Sequence, residues 1–171
     1  MKKLNGILKL GVFALFVVLM ASCKKDEDPY AAYTPAREAA LIKEWKAGMK
    51  LEKLQLDSTS TGIYYIADTV KVGSGPTVKA GNTVTVKYTG MFLDGTVFDA
   101  SANHSAAGTM TYVHKTNRMI QGWEEGIEAL SKGASAAFLI PSAKAYGVEG
   151  NKPIIPPNEP LIFIIEVVDI K

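Results

Sequence analysis

Val86-Lys87-Tyr88-Thr89-Gly90-Met91-Phe92-Leu93-Asp94-Gly95-Thr96-Val97-Phe98-Asp99-Ala100-Ser101 sets the frame for the whole chain. Val84, Val86 and Tyr88 alternate with Thr83, Thr85 and Lys87, the period of a half-buried strand. Asp94-Gly95 then signals a hairpin, because glycine takes the positive φ that a tight turn between twisted strands needs. The returning segment brings Phe98 and Asp99 back alongside Tyr88. Two aromatics and one carboxylate so placed suit an apolar pocket with a single polar handle. On this stretch alone, a hairpin with core aromatics fits as well.

Working outward toward the C-terminus, Thr109 to His114 reads as a strand with Met110, Tyr112 and His114 on one face. Met119 to Leu130 reads as a helix with Trp123, Ile127 and Leu130 on one side, and Lys132-Gly133 supplies a basic last turn and a glycine stop. Ala134 to Ile140 is a strand ending at Pro141. Leu161 to Ile170 is a long closing strand in which Phe163, Ile165, Val167 and Asp169 share a face. Between them lie Ala145-Tyr146-Gly147 and Pro153-Ile154-Ile155-Pro156-Pro157, a stiff apolar loop. Toward the N-terminus, Gly62 to Ile66 is a strand candidate preceded by the polar loop Asp57 to Gly62, and Gly73-Ser74-Gly75-Pro76 and Lys79 to Asn82 read as turns. Thr34-Pro35 opens a short helix whose Leu41, Ile42 and Trp45 share a face expected to pack on the domain that follows; a small dimerisation helix is the alternative. One helix against many strands predicts an α+β domain built on an antiparallel sheet.

Lys2, Lys3 and Lys9 flank or precede an apolar run from Leu10 to Met20, and Ala21-Ser22-Cys23 follows. The run is short for a bilayer span, and basic start, apolar middle and small-residue exit describe a secretory signal peptide. Leu19-Met20-Ala21-Ser22-Cys23 resembles the lipobox of bacterial lipoproteins, in which the cysteine is lipidated and cleavage occurs before it. That resemblance implies a membrane partner through lipid on Cys23 and an address in the cell envelope at the outer membrane, on its periplasmic or surface face. Lys24-Lys25-Asp26-Glu27-Asp28 resembles a surface-export signal, although a solvated charge run at the head of a linker reads the same. The expected organisation is a signal peptide over 1–22, a lipidated tether over 23–34, a short helix and loop over 35–61 and the main domain over 62–171.

Cys23 is the single cysteine of the 171-residue chain, so no disulfide framework or thiolate metal cluster is expected. Without residues 1–22, 16 basic residues face 17 acidic ones, a formal charge of −1. That balance, with no basic cluster interleaved with aromatics, excludes the electrostatic term that dominates nucleic-acid binding. The sequence holds no phosphate loop, no ligand set with metal spacing and no nucleophile elbow. His104 and His114 have no evident triad partner and are expected to be structural or solvated. If the domain is an enzyme, it is expected to work without covalent chemistry, metal or other cofactor.

Tyr88-Thr89-Gly90-Met91, Asp94-Gly95, Phe98-Asp99, Ile120 to Gly126, Ala145-Tyr146-Gly147, Ile154-Ile155-Pro156-Pro157 and Leu161-Ile162-Phe163 follow one another along the chain. Together they resemble the FKBP-type peptidyl-prolyl cis-trans isomerases over roughly residues 62–171. The resemblance implies an antiparallel half-barrel wrapped around one short helix, with an apolar pocket between them. It implies Asp99, Tyr146, Phe98 and Trp123 as the catalytic set, with Trp123 as the floor and the Tyr146 hydroxyl donating to a substrate carbonyl. Tyr88, Met110, Met119, Ile120, Ile155 and Phe163 would bind substrate, the Ile120 backbone N–H donating to a bound carbonyl. Met110 stands where the family usually has an aromatic, and Asn151 replaces a frequent histidine. Implied partners are proline-containing polypeptides and macrolide inhibitors of the FK506/rapamycin type.

What the resemblance implies about function is assistance to the folding of exported proteins by isomerising X–Pro bonds. The alternatives are a prolyl-peptide-binding chaperone module with weak or no catalysis, and an interaction lipoprotein that merely retains the fold. Because no acid or base is required, activity is expected to be nearly flat between about pH 6 and 8.

Overall fold

The computed structural model describes residues 28–66 and 70–171. The signal-peptide stretch and Cys23 lie outside the described residues. No helix among the described residues is long and apolar enough to cross a membrane.

Helix α1 spans Pro35–Leu51, with the Thr34 hydroxyl accepting from the Arg37 N–H at 3.2 Å and Pro35 in the first turn, as Thr34-Pro35 predicts. Leu41, Ile42 and Trp45 do not sink into a core: the helix has no buried residue. Leu41, Ile42 and Trp45 are half-buried, and hydrogen bonds of Arg37 and Glu38 tie the helix to the domain.

Strands β1 (Leu56–Ser58), β2 (Tyr64–Ile66), β4 (Thr83–Met91), β5 (Val97–Ala100), β6 (Met110–Val113), β8 (Ser135–Ile140) and β9 (Leu161–Ile170) form one antiparallel sheet. The order is β1-β2-β8-β9-β4-β5, with β6 also on β4. One edge of β4 pairs with β9 from Val84↔Ile170 to Met91↔Ile162. The other edge is divided: Thr83 to Val86 pair with β6, and Thr89 to Met91 pair with β5. At the division Ser101, 2% exposed, accepts from the Tyr88 N–H at 3.0 Å and donates to the Gly108 carbonyl at 2.7 Å, so the interrupted ladder leaves no orphan donor there. Asp94-Gly95 does make the hairpin, Gly95 taking φ +88°.

The alternation expected in β9 holds from Phe163 to Val167: Phe163, Ile165 and Val167 are buried while Ile164 is 44% exposed, whereas Ile162, expected on the opposite face, is buried too. Phe163, Ile165 and Val167 meet Val84, Val86, Ile127 and Ile140 in one core. Helix α2 (Gln121–Ile127) lies across this face, and it can approach closely because a Cβ on Gly122 would collide with the Ile140 side chain. Gly73 to Pro76, expected as a turn, instead contributes β3 (Ser74–Thr77), paired with β7 (Ser131–Lys132) in a small second sheet. Gly75 at φ +78° sits where the register shifts, and an edge strand tolerates the N–H that Pro76 lacks. Asp57 and Ser58, expected in a loop, extend the main sheet as part of β1 by pairing with Tyr65 and Tyr64.

Candidate active site

Between α2 and the β4–β5 hairpin lies a cavity of about 490 Å³. Tyr88, Phe98, Asp99, Met119, Ile120, Trp123, Tyr146 and Phe163 line it, together with Arg118, Gln121 and Ala145. Eight residues singled out in the sequence therefore converge. Met110 and Ile155 do not reach its wall: Met110 is half-buried on β6 opposite Val86, and Ile155 is 2% exposed within the core. Met110 sits at the last β4–β6 pair before the division, and Ile155 packs in the same core cluster as Trp123 and Phe163.

The enclosure is a set of aromatic rings meeting edge to face. Trp123 and Phe163 have centroids 5.4 Å apart at 88°, Tyr88 and Trp123 5.3 Å at 89°, and Phe98 and Phe163 5.7 Å at 84°. Such arrangements set the positive edge of one ring on the negative face of the next and hold each plane in place. Gly90 is what lets two of them close: a Cβ there would stand 2.7 Å from Phe98 Cζ and 2.8 Å from Phe163 Cε1. Trp123 is 2% exposed, and its indole N–H donates to the Tyr112 hydroxyl at 2.8 Å. Burial pushes the Tyr112 phenol up to about 12 despite that bond, so it stays neutral. This anchor under the floor escaped the sequence reading, which placed Tyr112 on the correct face without naming its partner.

Asp99 is the cavity's carboxylate, and both of its oxygens are engaged. Oδ2 accepts from the Tyr88 hydroxyl at 2.7 Å; Oδ1 accepts from its neighbour's Ala100 N–H at 2.8 Å and stands 2.6 Å from His104 Nε2. Burial alone would raise the Asp99 pKa, but the bonds from Tyr88, His104 and Ala100 outweigh it and hold the carboxyl below its ordinary value. Burial, then the bond to Asp99, pushes the Tyr88 phenol well up. An ionised, fully bonded carboxylate is a poor proton acceptor, so the geometry offers a fixed charge rather than a base. His104, expected to be structural or solvated, has a structural contact on an exposed side chain: the short helical turn Ser101–Asn103 folds the loop back so that the residue five after Asp99 meets it. An Asp-x4-His spacing was the available signal. His114 is buried, with Nε2 3.1 Å from Glu128 Oε1.

Tyr146 follows a short 3-10 turn, Ser142–Lys144, at the end of β8. Burial and then the Asp99 charge raise its pKa, so its hydroxyl keeps its proton. Among the described residues that hydroxyl and the Ile120 backbone N–H have no hydrogen-bond partner, leaving two donors for an incoming carbonyl.

Comparisons with known proteins point the same way. The sequence model of the family described as FKBP-type peptidyl-prolyl cis-trans isomerase matches residues 75–168. A probable FKBP-type peptidyl-prolyl cis-trans isomerase of Haemophilus influenzae is 35% identical over 113 residues, 66% of this chain and 44% of that protein. The FKBP-type isomerase FkpA of Escherichia coli K12 is 35% identical over 162 residues, 95% of this chain and 55% of its own length. FK506-binding protein 1A of Emericella nidulans is 40% identical over 92 residues, 54% of this chain and 83% of that protein. The chain thus spans about half the length of the bacterial relatives it matches. Among solved structures, E. coli FkpA superposes with a TM-score of 0.64 at 31% identity, covering 80% of this chain and 62% of that one. A Pseudomonas syringae peptidyl-prolyl cis-trans isomerase gives 0.61 at 30% identity, covering 78% and 95%. With its α+β half-barrel and aromatic enclosure matched in sequence and in fold, the chain belongs to the FKBP-type peptidyl-prolyl cis-trans isomerase family.

Proposed function

We propose that the protein catalyses cis–trans isomerisation of X–Pro bonds and so assists the folding of exported polypeptides. The observation that carries this is the aromatic cavity whose one carboxylate is already bonded on both oxygens, beside two donors free for a carbonyl. An X–Pro bond turns slowly because amide resonance sets a barrier of about 18–20 kcal/mol. Resonance separates charge, so transfer from water to an apolar enclosure favours the twisted, less polar amide. No proton need leave a side chain. A thousandfold acceleration needs about 4 kcal/mol, and one Tyr146 hydrogen bond supplies about 0.5–1.5. The rest comes from the fit of the prolyl ring against Trp123, Phe98, Tyr88 and Phe163, with Asp99 a tuning charge.

The Emericella relative is named for binding FK506. The shared enclosure supports macrolides of that type as competitive ligands here. The lipobox-like Leu19 to Cys23 supports lipidation of Cys23 and attachment to the outer membrane.

A protease-free isomerisation assay on an X–Pro peptide tests the reading: acceleration at micromolar protein, abolished by FK506, is expected. Uncatalysed rates with intact peptide binding would instead leave a prolyl-binding chaperone module. Palmitate incorporation lost in Cys23→Ser tests the anchor.

A further inference from the structure

Helix α1 precedes the region matched by the family model, and it grips the loop that carries Tyr146. Glu38, on its first turn, spends its whole carboxylate on one residue: Oε1 accepts from the Ser142 N–H and Oε2 from the Ser142 hydroxyl, both at 2.6 Å. Ser142 is 4% exposed, so no water replaces that partner without the loop opening. The Ser142 carbonyl in turn accepts from the Ala145 and Gly147 N–H groups, each at 2.8 Å. Those are the two residues on either side of Tyr146.

A second tie starts one residue away. Arg37 donates to the Glu159 carboxylate at 2.6 Å, and the Asn158 side-chain amide donates to the Tyr33 carbonyl at 2.8 Å. The Asn158 N–H donates to the Gly147 carbonyl at 2.8 Å, so this route also ends beside Tyr146. Glu159 is 6% exposed, and a carboxylate so buried requires its cation. A helix with no buried residue of its own is thereby fixed to two loops by charge-assisted hydrogen bonds, whose directions specify geometry as apolar packing would not.

We propose that Glu38 is a positioning residue for the isomerase site, fixing the Tyr146 hydroxyl through Ser142, with Arg37 supporting it through Glu159. The proposal rests on the isomerase reading for its kinetic consequence and on the loop geometry alone for its structural one. If Tyr146 is positioned this way, losing Glu38 removes what Tyr146 contributes and little else.

The experiment compares Glu38→Ala, Tyr146→Phe and the double variant in the full chain, with Lys43→Ala on the exposed face of α1 as control. Expected is a loss in kcat/KM of about fivefold for Glu38→Ala, near that of Tyr146→Phe. The double variant should lose no more than Tyr146→Phe alone, and Glu38→Gln, which keeps one acceptor, should fall between. Independently of activity, amide exchange at Ala145 and Gly147 should quicken by about tenfold in Glu38→Ala and stay unchanged in Lys43→Ala. Additive losses, or unchanged exchange at those amides, would overturn the proposal. A wild-type protein without isomerase activity would sink the functional reading while the exchange measurement still decided the clamp.

Discussion

His104 Nε2 stands 2.6 Å from Asp99 Oδ1 while the Tyr88 hydroxyl holds Oδ2 at 2.7 Å, so the site's carboxylate is shared between an aromatic wall and an exposed loop residue. His104 is 61% exposed at its side chain, so it tunes the site only modestly. A surface pair is worth about 0.2–1 kcal/mol, and His104→Ala should change kcat/KM by at most about fivefold. A larger loss would give the His104 contact a share of the barrier that an exposed pair does not carry. Because the mechanism moves no proton, the profile between about pH 6 and 8 should be nearly flat, and a bell-shaped profile centred on neutrality would contradict it.

Asp99 also links folding to acid. Its carboxyl titrates below the ordinary value in the folded chain, chiefly because the Tyr88 and His104 bonds overcome the burial penalty. A depressed folded pKa gives stability that is present above the unfolded value and lost as pH falls through the folded one. The melting-temperature difference between wild type and Asp99→Asn should therefore be constant near neutrality and shrink below about pH 4. A difference that grew toward acid would show that the Asp99 pairings do not stabilise the fold.

Tyr112→Phe leaves the Trp123 indole N–H buried without its acceptor. The cost of such an orphaned donor is about 1–3 kcal/mol, read as a lower midpoint in urea. Trp123→Phe in the Tyr112→Phe background should then add less than it does alone, because the unsatisfied group is gone.

Gly90→Ala tests the shape of the enclosure. The new methyl would press on Phe98 and Phe163 at 2.7–2.8 Å, and both rings belong to the cavity wall. Overpacking of this kind costs about 1–3 kcal/mol. Peptide KM should rise as the wall is displaced, measured beside the thermal midpoint. An unaffected KM would mean that substrate does not lean on these rings.

Tyr146→Phe removes one donor and keeps the ring. The expected loss in kcat/KM is about two- to twelvefold, the equivalent of one net hydrogen bond of about 0.5–1.5 kcal/mol. A loss of a thousandfold would assign Tyr146 a far larger share of the barrier than shape and desolvation leave it.

Local sequence determined what local forces decide. The alternation of Val84, Val86 and Tyr88, the turn chemistry of Asp94-Gly95, the 3.6-residue stripe of Trp123 and Ile127 and the alternating face of β9 each record burial along one element, and each appears where its period places it. The order of motifs along the chain extended this to the family and to most of the cavity wall. Tertiary structure decided the pairings that no period records. Glu38 and Ser142 are 104 residues apart in the chain, and Trp123 meets Tyr112 across the sheet-to-helix gap. Met110, paired with Val86 on β6, and Ile155, packed in the core cluster, lie outside the cavity's lining, placements that residue type does not record. So the hairpin from Val86 to Ser101 and the meeting of Tyr88 with Asp99 could be read from its residues, whereas the bonds that fix the Tyr146 loop exist only once segments 104 residues apart are brought within hydrogen-bond range.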